Sequence, residues 1–270
     1  MQGDNNMSKI AIIGGTGVYD PRILDNVREE QIDTPYGAVH YKVGEFAGKV
    51  IAFIPRHGSK HSIPPHLINY RANIWAMKKI GVQNIIATTA VGSLNQAMKP
   101  GDFVIIDQFL DFTKNRTTTF YEGGERGVVH LDVTEPYCAA LRSKFQLAAQ
   151  KLGIAIHTKG VYVCTEGPRF ETPAEINMFA KLGGDLVGMT NVPEVTLAKE
   201  AEMCYATVSM VTNFAAGISP QPLTHNEVVE TMADNAENIK KLIMECITIL
   251  DTNTDCSCQR SLAEYGGFKF

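Results

Sequence analysis

No apolar run in this 270-residue chain approaches the roughly 20 residues needed to span a bilayer, and no signal-peptide pattern precedes the first hydrophobic strand. Charge of one sign is lacking too. With 29 acidic against 25 basic side chains, there is no electrostatic footprint for nucleic acid or an anionic membrane. No Pro/Gly/Ser-rich linker or charge block divides the sequence. Length alone would allow two domains, but 44% hydrophobic and 20% charged residues fit one large α/β domain over residues 9–250. Residues 1–8 then form an N-terminal tail and 251–270 a C-terminal one. The expectation is a cytoplasmic protein with neither nucleic-acid nor membrane partners.

Six cysteines are too few for a disulfide scaffold at this length. Cys138, Cys164, Cys204 and Cys246 lie in apolar or helical contexts and read as small core residues. Cys256-Ser257-Cys258 differs, because such a pair can bind metal, form a strained disulfide or join another chain. No second Cys/His pair with zinc-like spacing accompanies it, so a surface tail carrying two thiols is expected.

A dinucleotide fingerprint is also missing. Lys9 to Ile13 is a buried strand that runs into Gly14-Gly15-Thr16-Gly17, which lacks the GxGxxG spacing. That loop offers open backbone N–H groups and one hydroxyl, which suit an oxyanion. Thr34-Pro35-Tyr36-Gly37 then precedes two alternating runs, Val39–Val43 and Lys49–Ile54, that read as antiparallel strands. The sheet is therefore mixed. Pro55-Arg56-His57-Gly58 follows at a strand end, where Arg56 offers phosphate a planar fork. Residues 65–77 read as one helix.

Ile85 to Ala90 is a buried strand leading to Val91-Gly92-Ser93, the kind of junction where open α/β sheets collect ligands. Residues 102–108 form another strand. The polar stretch 113–127 is long enough to be functional or mobile, and lone His130 after it reads as structural unless something else supports it. A helix over 136–152 and a strand over 157–164 lead to the densest stretch, 166–190. There Glu166-Gly167-Pro168-Arg169 forms a turn before Phe170 and Glu171. Thr172 caps a helix with Pro173 at its first position, and Asp185–Thr190 is a short apolar strand ending in Met189 and a hydroxyl. A helix from Val192, a strand from Tyr205 to Val211 ending at Thr212-Asn213, and a last long helix complete the chain. Thr224 and Glu227 form a capping box for that helix, with His225 in its first turn.

These segments, in order, resemble the trimeric purine nucleoside phosphorylase/methylthioadenosine phosphorylase family. The resemblance rests on GGTG, PRHG, TTAVGSL, EGPRFETPAE, GMTNVPEV and the Thr-Asn strand end, and covers Ile10 to about Leu250. It implies a three-layer α/β/α sandwich around a mixed, partly barrel-like sheet. It implies phosphate held by Thr16, Arg56, His57, Ala90 and Thr190, with Thr89 close by. The ribose is expected against Met189 and His57, and the base against Phe170 with its edge read by Glu171 and Asn213. His130 would reach a neighbouring subunit's site in a homotrimer or a dimer of trimers. No metal or organic cofactor is required; inorganic phosphate is the co-substrate.

Within the family, the residues favour the 6-oxopurine nucleoside branch. Methylthioadenosine phosphorylases carry two aspartates where this chain has Asn213 and Ala215. Hypoxanthine and guanine present N1–H, which a carboxylate accepts, whereas adenine presents a bare lone pair that it repels. The amide of Asn213 can donate to O6 while serving N7. His225 matches the position where nucleoside enzymes place a histidine against the 5′-hydroxyl. Asn213, Glu171 and His57 are thus the expected catalytic groups, and inosine and guanosine the expected substrates. A 5′-methylthioadenosine or 5′-methylthioinosine phosphorylase is the nearest alternative. An oxidoreductase would rest on GGTG alone, and a non-catalytic purine sensor would have no use for a phosphate set.

Overall fold

A computed structural model describes residues 9–14, 24–59, 62–219, 225–252 and 255–270, with the side chain of His225 outside that set. Eleven strands form one mixed sheet: β1 (Ile10–Gly14), β2 (Asp25–Thr34), β3 (Gly37–Phe46), β4 (Lys49–Pro55), β5 (Asn84–Ser93), β6 (Phe103–Ile105), β7 (Gln108–Phe112), β8 (Ile156–His157), β9 (Val161–Thr165), β10 (Leu186–Gly188) and β11 (Cys204–Phe214). Among the described residues five α-helices accompany them: α1 (Tyr70–Lys79), α2 (Ala139–Leu152), α3 (Pro173–Lys181), α4 (Asn191–Glu200) and α5 (His225–Ile249).

The two-residue period of the strands sorts the core into layers. Ile10 and Ile12 of β1, with Ile86, Ala206 and Val208, join the cluster that includes Leu141 and Phe145 of α2 and Leu242 and Ile243 of α5. Ala11 and Ile13, with Ile85, Ala87 and Tyr205, join the opposite cluster with Trp75 of α1 and Val195 and Leu197 of α4. Helices thus cover both faces, giving the expected three-layer α/β/α sandwich. The sheet runs β2-β3-β4-β1-β5-β10-β9-β7 and branches at β5, where β11 and then β6 and β8 continue it; it does not close.

Capping chemistry fixes α3 as the sequence implies. The Thr172 hydroxyl accepts from the Glu175 N–H at 3.2 Å, while the Glu175 carboxylate accepts from the Thr172 N–H at 2.7 Å. Elsewhere the structure departs from expectation. The single helix over 65–77 is a 3₁₀ turn at Pro65–Leu67 followed by α1, because the Asn69 side chain caps the second piece by accepting from the Ala72 N–H at 3.1 Å. Strand β2 has no apolar alternation; it is mostly exposed and takes its register from the turn to β3, which pairs Ile32 with Val39. The polar stretch 113–127 packs on the core: Phe120 is buried, and the Thr119 hydroxyl and Phe120 N–H donate to Glu200 at 2.6 and 2.8 Å.

The C-terminal segment is also packed. Leu262 is fully buried, Phe268 stacks edge-on against Phe120 with centroids 5.3 Å apart, and the Phe268 N–H donates to Glu202 at 3.0 Å. Cys138 and Cys204 are buried, as expected of core thiols, yet they converge with Cys256 and Cys258 in one cluster. The expectation of a surface tail carrying two thiols is therefore corrected: the CxC pair is part-buried and has two further thiols beside it. Its partners come from the cap of α2 and the start of β11.

Candidate active site

The site follows from how β5 is shared. β11 runs along one edge of β5 for its whole length. On the other edge, β1 pairs with Asn84–Ala87 and β10 with Gly92 and Ser93. Between those partners Thr88 to Val91 is left to line a cavity of about 180 Å³. This is a switch point of strand order, where open α/β sheets place ligands. Strand ends and loops converge on it: Arg56 and His57 after β4, Phe170 and Glu171 ahead of α3, Met189 and Thr190 after β10, Asn213 and Ala215 at the end of β11, and Val228 in α5.

Arg56 is 2% exposed, and its fork is already engaged. Nε and Nη2 donate to the two oxygens of Glu194 at 2.7 Å each, Nη1 donates to the Thr88 carbonyl at 2.8 Å, and Nη2 also reaches the Ile13 carbonyl at 3.3 Å. A guanidinium has five N–H groups, so one on Nη1 remains for the cavity. Burial alone would lower the pKa of Arg56, but the Glu194 carboxylate outweighs it and keeps the cation charged. Glu194 also accepts from the Tyr205 hydroxyl at 2.7 Å. The bidentate grip that the sequence offers to phosphate is thus turned on a protein carboxylate.

Hydroxyls supply further donors. Thr88 Oγ1 is buried and is among the few side-chain atoms of the described residues with no hydrogen-bond partner, which in a native pocket marks a place for a ligand. Thr89 Oγ1 lies 2.8 Å from Ser209 Oγ. The Thr190 N–H donates to the Tyr162 hydroxyl at 3.3 Å. His57 Nδ1 faces the Ile63 carbonyl at 2.8 Å; a carbonyl only accepts, so Nδ1 carries the proton.

At the other end of the cavity, the Thr165 hydroxyl donates to Glu171 Oε1 at 2.6 Å. Burial pushes this carboxyl above its ordinary 4.5. The amide of Asn213 is oriented by its neighbours: Oδ1 accepts from the Thr212 hydroxyl at 2.7 Å and Nδ2 donates to the Phe214 carbonyl at 2.9 Å. Each end keeps further hydrogen-bonding capacity, one N–H on Nδ2 and a lone pair on Oδ1. Behind it, a Cβ on Gly92 would come within 3.2 Å of Nδ2. Phe170, 45% exposed, closes the mouth with an apolar face.

Arg56, His57, Thr89, Ala90, Phe170, Glu171, Met189, Thr190 and Asn213 therefore share one cavity. Thr16 and Thr224 lie outside the described residues. His225 opens α5, and Val228 of the same helix's first turn lines the cavity. His130 is not among the lining residues; its N–H meets the Tyr265 hydroxyl at 3.2 Å. Sequence patterns did not single out Glu194, Thr88 or Arg116. The Arg116 side chain is 2% exposed and donates to the Val192, Thr165 and Glu166 carbonyls at 2.6, 3.1 and 2.8 Å, tying the 113–127 loop to the strand ends around the pocket. In sequence it is one cation in a polar run. The signal for Glu194 was a carboxylate in an otherwise apolar helix start.

The fold and the site define a nucleoside-phosphorylase type of α/β protein, and a profile of the phosphorylase superfamily matches residues 9–248. The chain belongs to that family. It is 59% identical over 250 residues to a probable 6-oxopurine nucleoside phosphorylase of Moorella thermoacetica, covering 93% of this chain and 96% of the relative. An S-methyl-5′-thioadenosine phosphorylase of Thermofilum pendens is 49% identical over 258 residues, covering 95% and 97%. Among solved structures, a methylthioadenosine phosphorylase from an antarctic soil metagenomic library superimposes with a TM-score of 0.89 at 37% identity, covering 96% of this chain and 92% of that one.

Proposed function

We propose that this chain catalyses the phosphorolysis of 6-oxopurine nucleosides, inosine and guanosine, to the free base and α-ribose-1-phosphate. The observation that carries this reading is the pairing of one acid, Glu171, with one carboxamide, Asn213, in the same small cavity, with Ala215 rather than an acid beside them. Ionised Glu171 accepts N1–H, and the free N–H of Asn213 serves O6 or N7. The identities to relatives named 6-oxopurine nucleoside phosphorylase support the same branch.

Chemistry follows from charge development. Cleavage at C1′ gives the sugar oxocarbenium character and the purine negative charge. A donor at N7/O6 strengthens its bond as that charge grows, which accelerates the reaction. Phosphate then attacks the opposite face, positioned by the orphan Thr88 hydroxyl, the remaining Arg56 N–H, Thr190, Ala90 and Thr16, which follows β1 in sequence. Because Glu194 already neutralises Arg56, the phosphate dianion would be held chiefly by hydrogen bonds from hydroxyl and backbone donors. No organic cofactor or metal takes part in this scheme. The proposal extends to a cytoplasmic role in purine salvage and to a homotrimer or dimer of trimers in which His130 reaches a neighbour's site. Among the described residues, no helix is long and apolar enough to cross a membrane.

The alternative, cleavage of 5′-methylthioadenosine or 5′-methylthioinosine, is favoured by the structural neighbours and by the 49% identical relative. Incubating the enzyme with inosine, with and without phosphate, tests the main reading: hypoxanthine and ribose-1-phosphate should form only when phosphate is present. Equal release of base without phosphate would replace phosphorolysis with hydrolysis.

A further inference from the structure

At the far end of β11 from the pocket lies a second chemical centre. Cys138, Cys204, Cys256 and Cys258 place their Sγ atoms all within 4.8 Å of one another, and all four are free thiols. They come from three separate places: the cap of α2, the first residue of β11, and the CxC of the C-terminal segment. Cys138 Sγ and Cys256 Sγ are 3.6 Å apart. Thiolates bound tetrahedrally to zinc at about 2.3 Å sit about 3.8 Å from each other, whereas bonded sulfurs are about 2.05 Å apart. The observed spacing is that of an edge of a tetrathiolate tetrahedron.

The surroundings suit the charge that four thiolates bring. Cys138 caps α2, and its sulfur accepts from the Leu141 N–H at 3.4 Å. The positive end of that 14-residue helix favours the ionised form. Cys138, Cys256 and Cys258 also line an open cavity with Lys199 and Ser261, which gives a cation a path in. Four sulfur ligands with no oxygen or imidazole select a soft cation that accepts tetrahedral geometry, and a closed set of four leaves no open position for chemistry.

We propose that these four cysteines bind one structural zinc ion, which fastens the C-terminal segment to the start of α2 and of β11. The centre is independent of catalysis, since Cys204 and Asn213 lie at opposite ends of an extended strand, roughly 30 Å apart at about 3.4 Å per residue. It also accounts for a C-terminal segment that is packed rather than trailing. Among the described residues, the run after α5 is otherwise held by buried Leu262, the ring contacts of Phe268 and Phe270, and hydrogen bonds from Ser261, Leu262 and Phe268.

The test uses the full-length chain purified under reductant. Elemental analysis should return close to one zinc per chain. Cobalt substitution should give the intense thiolate-to-metal charge-transfer bands and the d–d pattern of a tetrahedral tetrathiolate site. Cys246→Ala, at a buried cysteine outside the cluster, should keep its zinc. The double variant Cys256→Ser/Cys258→Ser should lose it and melt roughly 5 °C or more below the parent, with phosphorolysis at moderate temperature unchanged. Releasing the ion from unmutated protein with a mercurial and a chromogenic chelator should report the same stoichiometry, so the proposal stands or falls even if the variant fails to fold. Less than a tenth of an equivalent of zinc after incubation with the metal under reductant would overturn it. So would trapped, alkylated protein whose mass shows two disulfides among these four residues.

Discussion

Replacing Glu194 with Gln should destabilise the protein severely and damage the phosphate end of the pocket at the same time. Both oxygens of Glu194 accept from Arg56 at 2.7 Å, one also accepts from the Tyr205 hydroxyl, and the two charged side chains are 1% and 0% exposed. A glutamine keeps the shape but turns an NH₂ group toward guanidinium N–H donors, and it leaves the Arg56 charge uncompensated in the interior. Breaking a buried pair in this way costs about 3–5 kcal/mol. At about 2–4 °C per kcal/mol for a large domain, the melting temperature should fall by roughly 6–20 °C in scanning calorimetry. The triple variant Arg56→Met/Glu194→Met/Tyr205→Phe removes both charges and the hydroxyl that would lose its acceptor. It should regain much of the lost stability while phosphorolysis stays abolished. A Glu194→Gln protein melting within about 2 °C of the parent would refute the buried-pair account, given that each kcal/mol is worth about that much.

Asn213→Asp should lower kcat/KM for inosine on the order of 10²–10³-fold, the scale of losing one preorganised donor to developing charge, and should raise activity on adenosine relative to inosine; an unchanged preference in the same assay would count against the base-edge contacts. Glu171 is held above its ordinary 4.5, so the accepting carboxylate is lost as pH falls through that raised value. The acid limb of kcat/KM for inosine should therefore lie above 4.5 and vanish in Glu171→Gln. The same shift predicts a stability effect of opposite sign. A raised folded pKa means that ionisation costs stability as pH rises above the unfolded value, so Glu171→Gln should melt no lower than the parent at pH 7. His225→Ala should impair inosine more than 5′-deoxyinosine, and equal losses would remove the 5′-hydroxyl contact.

Much of the site was legible because it sits where short motifs end strands. Phe170 and Glu171 directly precede a capping box that forms as the sequence implies, and Asn213 lies in the last pleat of a strand that is buried nearly throughout. What escaped was held by contacts between segments distant in sequence. Glu194 stands out in sequence only as a carboxylate among apolar neighbours, and its partner is fixed by the packing of α4 that brings it against Arg56. Thr88 and Thr89 are adjacent and alike in sequence, and only the pairing of β5 with β11 gives Thr89 a partner in Ser209 and leaves Thr88 without one. The cysteines show the same limit. Spacing rules find clusters built from paired motifs, whereas here one CxC meets the thiols of a helix cap and a strand start. β2 was missed for a different reason: an edge strand with a polar pattern carries no alternation to detect.

The central claim is that a carboxylate and a carboxamide select a lactam-bearing purine for phosphorolysis. It is tested most directly by kcat/KM for inosine against 5′-methylthioadenosine at saturating phosphate. Inosine should be preferred by a factor on the order of 10⁴, the scale set when a site's polar groups are left unpaired by the wrong base. A preference for methylthioadenosine would contradict the account.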